Sequence, residues 1–408
     1  MRNIIKINSP IINNNRITCS YALEGEWNTV FHKETEFFTE YSMDITGIPE
    51  SVAIIPFLSN ILPMAWVFDA EIYVPAIDRD FYDSIPEFKK GYQNMYPMVD
   101  FKGSLHVEEI VSNTLEDQKG SAAFFSGGVD AFNTLTNHLD EKPTLITIWG
   151  ADIKLDDIDG WSKVEKHIGE TCNEFELDYV MVKSSFREYL DEWKMSQRVE
   201  NSGDGWWHGF QHGLGIISHA APVMYMMKKK NVYFASSFTA ADKGKVTCAS
   251  DPTIDNFIHF CGSNVIHDGY EFTRQDKVHN ITEFVRKSGK KISLRVCWES
   301  KGGSNCCNCE KCWRTLLAIY AEGFDPRDFG FQYDNFGELL RKIHKNHESL
   351  KWHRESRYAP IQKKLREKYT VDEVEKELVW FYKTDIDHLG ELSIPQKLIR
   401  KIGRILNQ

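Results

Sequence analysis

Five of the nine cysteines in the chain lie within sixteen residues, and four of these five have the spacing of a metal site. Cys297, Cys306, Cys309 and Cys312 form the pattern C-x8-C-x2-C-x2-C. Thiolates three residues apart on a tight turn can converge on one ion, and four sulfur ligands suit zinc or an iron–sulfur cluster. We expect structural zinc, because four protein ligands leave no coordination position for a substrate. An iron–sulfur cluster and a chance grouping of buried cysteines are the alternatives.

The residues around these four cysteines favour the same interpretation. Small polar residues and glycines at 302–305 give the intervening loop the freedom to fold back. The fifth cysteine, Cys307, does not fit the repeat, and we expect it to point away from the ion or to be a spare thiol. The apolar residues after Cys312 predict a helix that anchors the metal loop to a core.

Composition and charge limit the class of protein. The chain has 408 residues, of which 42% are hydrophobic and 26% charged, as in ordinary globular proteins. Its net charge of −10 argues against general binding to nucleic acid. The sequence has no long apolar run of the kind that spans a membrane, and its start lacks the apolar core of a signal peptide. We therefore expect a cytoplasmic protein, in which reducing conditions favour metal binding over disulfides.

A glycine turn upstream of the cysteines could bind phosphate. The segment from Gly120 to Leu139 reads as a short buried strand, the turn SGG that starts at Ser126, and a helix with apolar residues at helical spacing. Glycines let the backbone approach a phosphate, and a helix N-terminus offers free N–H groups. Asp130 lies in the first helical turn, where it could cap amides or help to hold Mg²⁺. Taken alone, an ordinary tight turn explains this segment equally well.

Taken together, the two motifs resemble a known family. The segment FFSGGVDAF, from Phe124 to Phe132, resembles the pyrophosphate loop S-G-G-x-D-S/T of the N-type ATP pyrophosphatases (the PP-loop superfamily). The cysteine spacing resembles the zinc site of the 7-cyano-7-deazaguanine synthases, or QueC-like proteins. The order of the motifs is also that of the family, and the resemblance covers residues 118–325. It implies an α/β fold with a parallel five-stranded sheet flanked by helices, of the adenine nucleotide alpha-hydrolase-like or Rossmann-like type.

The resemblance implies sites for ATP, Mg²⁺ and a substrate in addition to the zinc site. The glycine loop and the end of the next strand are expected to contact ATP through Phe125, Ser126, Gly127, Gly128, Val129, Asp130, Ala131, Trp149, Gly150 and Asp152. The expected catalytic residues are Ser126, Asp130 and Lys277. The expected substrate contacts are Trp207, His208, Asp251, Asp255 and Arg274. For the substrate residues, core packing or a solvated surface is the alternative.

Two histidines four residues apart, His208 and His212, invite comparison with a zinc protease. That site needs Glu directly after the first His, and this chain has Gly209. A ring of the substrate stacked on Trp206 or Trp207 is the better interpretation, with core packing as its alternative.

Two features depart from the family. Ala131 stands where the family has Ser or Thr, which removes one hydrogen bond to the phosphates worth about 1–2 kcal/mol. The backbone amides remain, so we expect nucleotide binding to persist. The chain also has long additional segments before the loop and after the cysteines. We therefore expect a relative with a different or larger acceptor rather than the queuosine-pathway enzyme itself.

The chain is predicted to have three regions. These are an N-terminal α+β flank (1–115), the ATP pyrophosphatase domain with the four-cysteine metal site (116–325) and a helical C-terminal extension (326–408). In the middle region, Pro222 is expected to kink or divide a long helix, and Thr273 with Asp276 to cap another. The tail from Pro395 is amphipathic, and we expect it to pack on its own domain, with a partner or a membrane surface as the alternatives.

The expected activity is that of an ATP-dependent, AMP-forming ligase. A substrate carboxylate attacks the α-phosphorus of ATP, pyrophosphate leaves, and ammonia or an amine takes the acyl group. The resemblance makes 7-carboxy-7-deazaguanine a candidate acid. QueC-like relatives with extra flanks also occur in anti-phage defence gene clusters, which implies a protein as one acceptor. A nucleotide-binding scaffold or regulator and a tRNA-modifying sulfur transferase are the alternatives, and a homodimer is a further expectation.

Overall fold

The structure of the chain is a computed structural model that describes residues 2–32, 35–297 and 303–399. These residues form two units. The first unit takes in residues up to 126 together with 130–270, and the second takes in 127–129 together with the residues from 271 onward. This division differs from the three predicted regions, because strands of the N-terminal segment pair with strands of the predicted central domain.

The strands all lie in the first unit. In chain order the described residues contain β1 (Asn3–Ile7), β2 (Ile11–Asn13), β3 (Arg16–Cys19), β4 (Tyr21–Glu24), β5 (Phe37–Tyr41), β6 (Ala70–Asp78), β7 (Ser104–Val111), β8 (Ser121–Phe124), β9 (Thr144–Trp149), β10 (Tyr179–Ser184), β11 (Asn231–Ala235), β12 (His259–Phe260) and β13 (Ser263–Asp268). A small sheet has the order β4-β1-β6-β7, and a large sheet has the order β12-β13-β11-β8-β9-β10-β5-β3-β2.

The large sheet is mixed. Five neighbouring strands, β13, β11, β8, β9 and β10, run parallel, with Ala122 opposite Thr144 and Val232 opposite Val265. The outer strands β12, β5, β3 and β2 run antiparallel to their neighbours. The predicted α/β class is confirmed, but the sheet is larger than the predicted five strands. The sequence did not predict the extension, because β5 and β10 lie far apart in the chain.

The helices of the described residues flank these sheets or form the second unit. In chain order they are α1 (Glu50–Ala53), α2 (Ile55–Phe68), α3 (Arg79–Met95), α4 (Val129–Asn137), α5 (Ile158–Phe175), α6 (Glu192–Arg198), α7 (His212–Ile217), α8 (Ala220–Met226), α9 (Pro252–Asp255), α10 (Arg274–Ser288), α11 (Glu310–Ala321), α12 (Phe336–Lys345), α13 (Ala359–Lys368) and α14 (Val379–Lys383). Across the described ranges, no helix is both long enough and apolar enough to cross a bilayer.

Local sequence signals explain how several helices begin. Asp78 caps α3 by accepting a hydrogen bond from the Phe81 N–H at 3.1 Å. Thr273 and Asp276 form the predicted capping box of α10, which is confirmed. The predicted division near Pro222 is also confirmed, because α7 ends five residues before this proline and α8 begins two residues before it.

The amphipathic tail is described only at its start. Residues 394–399 are helical, and the side chains of Ile394, Leu398 and Ile399 are largely exposed. The expected packing of the tail on its own domain therefore does not extend to these three residues. The rest of the predicted amphipathic segment, residues 400–408, lies outside the described residues.

Between α7 and α8, a buried histidine makes stability depend on pH. The ring of His219 is within 2.8 Å of both the Gly215 carbonyl and the Ser184 hydroxyl. Burial lowers the pKa of His219 to about 4, below the ordinary value of an exposed imidazole. At neutral pH the ring is uncharged in both the folded and the unfolded chain. As the pH falls from 6.5 towards 4, the unfolded chain takes up a proton first, so stability is lost.

We expect His219→Gln to remove this pH dependence. Glutamine keeps a hydrogen-bonding group but does not titrate. The free energy of unfolding of the wild type should therefore fall relative to the variant, by up to about 3 kcal/mol, as the pH is lowered from about 6.5 to about 4. Urea denaturation of both proteins across this range measures the difference. If the free energies of unfolding of the wild type and the variant changed with pH in parallel, the expectation would be contradicted.

Candidate functional site

The four predicted metal ligands come together in the second unit. The Sγ atoms of Cys297 and Cys309 are 3.8 Å apart, and those of Cys306 and Cys312 are 3.9 Å apart. All four sulfurs lie within 4.8 Å of one another. A zinc ion with four thiolate ligands at about 2.3 Å requires sulfur–sulfur distances of about 3.8 Å. The cluster therefore fits a single tetrahedral ion. An iron–sulfur cluster binds its thiolates through separate irons, which requires more widely spaced sulfurs.

Hydrogen bonds of one asparagine side chain connect the segment that contains Cys297 with the segment that contains the other three ligands. Asn305 accepts a hydrogen bond from the Val296 N–H at 2.9 Å and donates to the carbonyls of Leu294, at 2.7 Å, and Gly330, at 3.2 Å. The Asn305 side chain thus connects the residues just before Cys297 with the residue just before Cys306. This arrangement keeps the ligands in place over a gap of eight residues.

The last two ligands lie at the start of α11, and the helix predicted to begin at the last ligand, Cys312, is confirmed. Cys309 is the N-cap of α11, and its sulfur accepts a hydrogen bond from the Cys312 N–H at 3.5 Å. Cys307 adopts the left-handed backbone conformation, and its carbonyl accepts from the Trp313 indole N–H at 3.1 Å. Cys307 is not one of the four converging thiols. Its main role is to turn the chain between two ligands.

The thiols of Cys306, Cys309 and Cys312 do not ionise together. Hydrogen bonding from Cys312 lowers the pKa of Cys309 to about 5, whereas burial raises the pKa of Cys306 to about 11. The hydrogen bond to Cys309 raises the pKa of Cys312. Four thiolates in this space would repel one another, so a cation is needed to hold all four in the ionised form.

The glycine loop begins where β8 ends. Phe125 donates its N–H to the Ile146 carbonyl at 2.8 Å and accepts a hydrogen bond from the Thr147 hydroxyl at 2.6 Å, which fixes the chain against β9. Gly127 then takes the left-handed conformation, with φ 77°, and its carbonyl accepts from the Arg295 N–H at 2.7 Å. Helix α4 starts two residues later. The predicted order of strand, glycine turn and helix is confirmed.

The side chains of the loop differ in exposure. Ser126 is exposed and Asp130 is half-buried in the first turn of α4. Phe125, Val129 and Ala131 are buried, so they can offer a nucleotide only backbone groups. The first turn of a helix presents N–H groups and a positive dipole end, which suit an anion. A carboxylate beside such an anion is placed to share a divalent cation with it.

The residues predicted at the end of β9 lie beside this loop in the sheet, since β8 and β9 are neighbours. The ring of Trp149 stacks on Trp161 with centroids 5.1 Å apart, and the Lys183 ammonium lies 4.5 Å from its centroid. Gly150 has φ 108°, and a side chain there would collide with the Ser184 carbonyl. Two side chains already engage Trp149, which leaves the Gly150 backbone and the exposed Asp152 as the more accessible groups.

The predicted tryptophans have different environments. Trp206 is fully buried and stacks on Phe210 with centroids 5.5 Å apart, which is the core packing considered as the alternative. Trp207 is half-buried, and the Arg187 guanidinium lies 3.9 Å from its ring centroid. Arg187 in turn binds Glu192 at 2.6 Å. Trp207 therefore belongs to a polar surface cluster and remains a candidate substrate contact.

The two predicted acidic residues are not equivalent. Asp251 caps α9, accepting hydrogen bonds from the Thr253 N–H at 2.9 Å and hydroxyl at 2.5 Å. Asp255 is fully buried, and its Oδ2 accepts from the Ser250 hydroxyl at 2.8 Å and pairs with His267 at 2.7 Å. Burial of Asp255 excludes the alternative of a solvated loop at this position. Asp255 is an internal polar residue rather than a surface one.

The predicted basic residues lie on the first turns of α10 in the second unit. Arg274 is 7% exposed and Lys277 is 2% exposed, which excludes the alternative of a solvated helix face. Buried cations require anionic or polar partners. The substrate contact of Arg274 and the catalytic role of Lys277 stay predictions.

Sequence reasoning missed one group of residues in the first unit. His208 pairs with Asp204, their Nδ1 and Oδ1 atoms 2.8 Å apart, and interacts with Cys248. Neither partner was predicted. Asp204 lies four residues before His208, just ahead of the helical segment that begins at Trp206, and this spacing could have indicated the pair. Cys248 follows 40 residues after His208, so no local pattern could have joined it to them.

No protein-family model matches the chain, and comparisons with curated proteins and with solved structures give no match either. The resemblance to QueC-like proteins therefore rests on the sequence motifs. Function has to be argued from the residues and their geometry.

Proposed function

We propose that the chain is an ATP-dependent, AMP-forming ligase that joins a carboxylic acid to ammonia or an amine. The observation that carries the proposal is the loop from Ser126 to Ala131, which leaves a parallel strand through a left-handed glycine and enters α4. Such a loop turns several N–H groups towards one anion. The pyrophosphate of ATP is the anion that the S-G-G-x-D motif predicts.

The position of the loop in the sheet supports the proposal. β9 and β10 lie on one side of β8, and β11 and β13 lie on the other. The direction of the strand order therefore reverses at β8, and ligands of open α/β sheets bind where this reversal occurs, outside the carboxyl ends of the strands. The glycine loop follows β8 at that point. This order is consistent with the predicted adenine nucleotide alpha-hydrolase-like, Rossmann-like core.

The proposed reaction relies on positioning and on stabilisation of charge. A carboxylate oxygen of the substrate attacks the α-phosphorus of ATP, the bond to the pyrophosphate oxygen breaks, and an acyl-adenylate and pyrophosphate result. Amides from Ser126 to Ala131 hold the leaving pyrophosphate. Mg²⁺ supplies positive charge when it is bound, with Asp130 as its proposed ligand and Lys277 as a further cation. An amine then attacks the acyl carbon and AMP leaves.

The zinc site has a structural part in this proposal. Cys297, Cys306, Cys309 and Cys312 use all four positions of a tetrahedral ion, so no position is open to substrate. The proposed acid is 7-carboxy-7-deazaguanine or a related deazapurine, and the amine is ammonia or a protein amine. Trp207, His208 and Asp251 are the proposed substrate contacts that retain accessible surface.

A sulfur transferase is a weaker candidate. Such enzymes need a reactive thiol near the loop, and the next cysteine along the chain is Cys172. Cys172 is buried, and burial raises the pKa of its thiol to about 12. A scaffold without turnover remains the alternative suggested by Ala131, and it is an outcome of the following experiment.

The proposal predicts acid-dependent release of pyrophosphate. Zinc-loaded protein is incubated with ATP, Mg²⁺, ammonia and a panel of carboxylic acids led by 7-carboxy-7-deazaguanine. Release should depend on one acid and fall at least about 100-fold in Asp130→Ala, because the cation loses its ligand. Asp156→Ala, at an exposed position on the same unit, is the matched control and should keep full activity. ATP binding without release for any acid would favour the scaffold.

A further inference from the structure

A second group of reactive side chains lies in the first unit, around Asp204 and His208. Asp204 Oδ1 lies 2.8 Å from His208 Nδ1. The other oxygen of Asp204 accepts hydrogen bonds from the Tyr96 hydroxyl at 2.8 Å and the Thr247 hydroxyl at 2.5 Å. Asp204 therefore has three partners, and it fixes the orientation of the His208 ring.

Cys248 is held against this pair by both of its neighbours in the chain. Thr247 binds Asp204 through its hydroxyl, and Ala249 donates its N–H to the His208 carbonyl at 2.8 Å. The Cys248 thiol interacts with the rings of His208 and His212, and its sulfur accepts a hydrogen bond from the Ser250 N–H at 3.5 Å. A thiol, an imidazole and a carboxylate thus follow one another in the order that activates a cysteine nucleophile.

Two glycines permit this close packing. A Cβ atom on Gly209 would lie 2.7 Å from the Tyr96 hydroxyl oxygen and 2.8 Å from the Asp204 Cβ. A Cβ atom on Gly213 would collide with the Ala249 carbonyl and lie 2.9 Å from Asp255 Oδ1. Gly209 therefore lets the helical segment approach Tyr96 and Asp204, and Gly213 lets it approach the loop around Cys248. Close packing therefore explains the two glycines in the pattern HGFQHG, from His208 to Gly213.

Two buried polar atoms without partners among the described residues belong to His212 and to Asp255, whose carboxylate lies close to Gly213. Among the described residues, Nδ1 of His212 and Oδ1 of Asp255 have no hydrogen-bonding partner, although Asp255 is fully buried. His212 and Asp255 also interact electrostatically. Buried polar groups are normally paired, so unpaired ones indicate a position that a ligand or water occupies. This observation is independent of the contact between His208 and Asp204.

We propose that Cys248 is the nucleophile of a second reactive centre that takes an acyl group from an ester or amide, with His208 as its proton-transfer residue. Asp204 is the positioning residue for His208. The side chain of His208 is 45% exposed, so a substrate can reach the ring from solvent. This activity needs no ATP, and it does not rest on the ligase function proposed above.

The charges around the thiol fit this role. Burial alone would raise the pKa of Cys248, but interaction with the rings of His208 and His212 outweighs burial and lowers the pKa to about 6. Interaction with Asp204 and Cys248 raises the pKa of His208 to about 10. At neutral pH the pair is therefore a thiolate and an imidazolium. Tyr92 and Tyr96 also face the thiol, but burial raises the pKa of both hydroxyls, so they stay neutral.

The proposed step balances without an added oxidant or metal. The Cys248 sulfur attacks the carbonyl carbon, the carbon–sulfur bond forms, and the bond to the leaving oxygen or nitrogen breaks. The His208 imidazolium gives its proton to the leaving group. Water or an amine then attacks the thioester and passes a proton to His208, which releases the acid or amide and restores the thiolate.

Two simple acyl donors test the proposal, without ATP in the assay. With 4-nitrophenyl acetate we expect a burst of one nitrophenol per chain and an acetyl group on Cys248, located by mass spectrometry of peptides. Cys248→Ser should abolish the burst, and the matched variant Cys172→Ser should keep it. A parallel assay with 4-nitroacetanilide distinguishes the two classes of acyl donor. Turnover of this anilide would show that the centre accepts amides, and its absence would show that the centre accepts only esters. A burst that survives in Cys248→Ser, or no burst in the wild type, would overturn the proposal.

Alkylation of the unaltered protein is a second test that does not depend on how a variant folds. At limiting iodoacetamide, Cys248 of the zinc-loaded protein should react first among the nine cysteines, with a rate that is half-maximal near pH 6. In His208→Asn the midpoint should move towards about 8.5, the value of an ordinary thiol. A wild-type midpoint already in the ordinary range would contradict an activated Cys248.

Discussion

Replacing Cys309 with serine should release the metal and unfold the region around α11. Serine is a good N-cap, so this change keeps the hydrogen bond that starts α11 and removes only the thiolate. Zinc content should fall from one ion per chain to less than about 0.1, because three thiolates bind far more weakly than four. The second unit should lose several kcal/mol of stability, since metal binding contributes directly to folding. Metal analysis and thermal unfolding measure the two effects.

The matched control for this experiment is Cys307→Ser. Cys307 lies between two ligands but is not one of the converging thiols, so its replacement should leave the zinc content unchanged. The reverse pattern, with metal lost in Cys307→Ser and kept in Cys309→Ser, would show that the ligand set is wrong. Iron and labile sulfide in place of zinc would support the iron–sulfur alternative.

Replacing Gly127 with valine should remove ATP binding. Gly127 has φ 77°, a conformation that costs a β-branched residue at least about 1–2 kcal/mol. A valine side chain would also occupy the space through which phosphates approach the loop amides. We expect the dissociation constant for ATP to rise at least about 100-fold, which corresponds to the loss of roughly 3 kcal/mol. Isothermal titration with ATP and Mg²⁺ measures the change.

Gly47→Val separates backbone strain from loss of the nucleotide site. Gly47 has φ 85°, close to that of Gly127, and a Cβ atom there would meet no other atom within 4 Å. Both variants therefore carry a similar conformational cost, and only Gly127→Val should lose ATP. Equal ATP affinity in the two variants would show that the glycine loop is not part of the nucleotide site.

Features encoded by nearby residues could be predicted from the sequence. The metal ligands lie within sixteen residues, and thiols at this spacing on a turn have few ways to be arranged. The strand, glycine turn and helix around Ser126 follow from residues next to one another. The capping box of α10 needs only Thr273 and Asp276. In each case the information is local, so one sequence suffices.

Features that depend on distant pairings could not be predicted. The pairing of β5 with β10 places Thr39 opposite Ser184, and neither strand contains a sequence pattern that identifies its partner. No local pattern indicates that the expected substrate contact Asp255 is internal, because the partner that draws it into the interior, His267, lies twelve residues away. The contact of Cys248 with His208 depends in the same way on how a loop folds onto a helix. Burial of a residue whose type is usually exposed can be recognised only from the three-dimensional structure.

Exchange of labelled pyrophosphate into ATP is the most direct assay of carboxylate adenylation. Attack of a carboxylate on the α-phosphorus is reversible while the acyl-adenylate stays bound, so labelled pyrophosphate should return to ATP before any amine is added. We expect exchange that requires a carboxylic acid such as 7-carboxy-7-deazaguanine, is lost in Asp130→Ala, and is accompanied by AMP when ammonia is supplied. Release of ADP and phosphate in place of AMP and pyrophosphate would show that the chain is not an AMP-forming ligase.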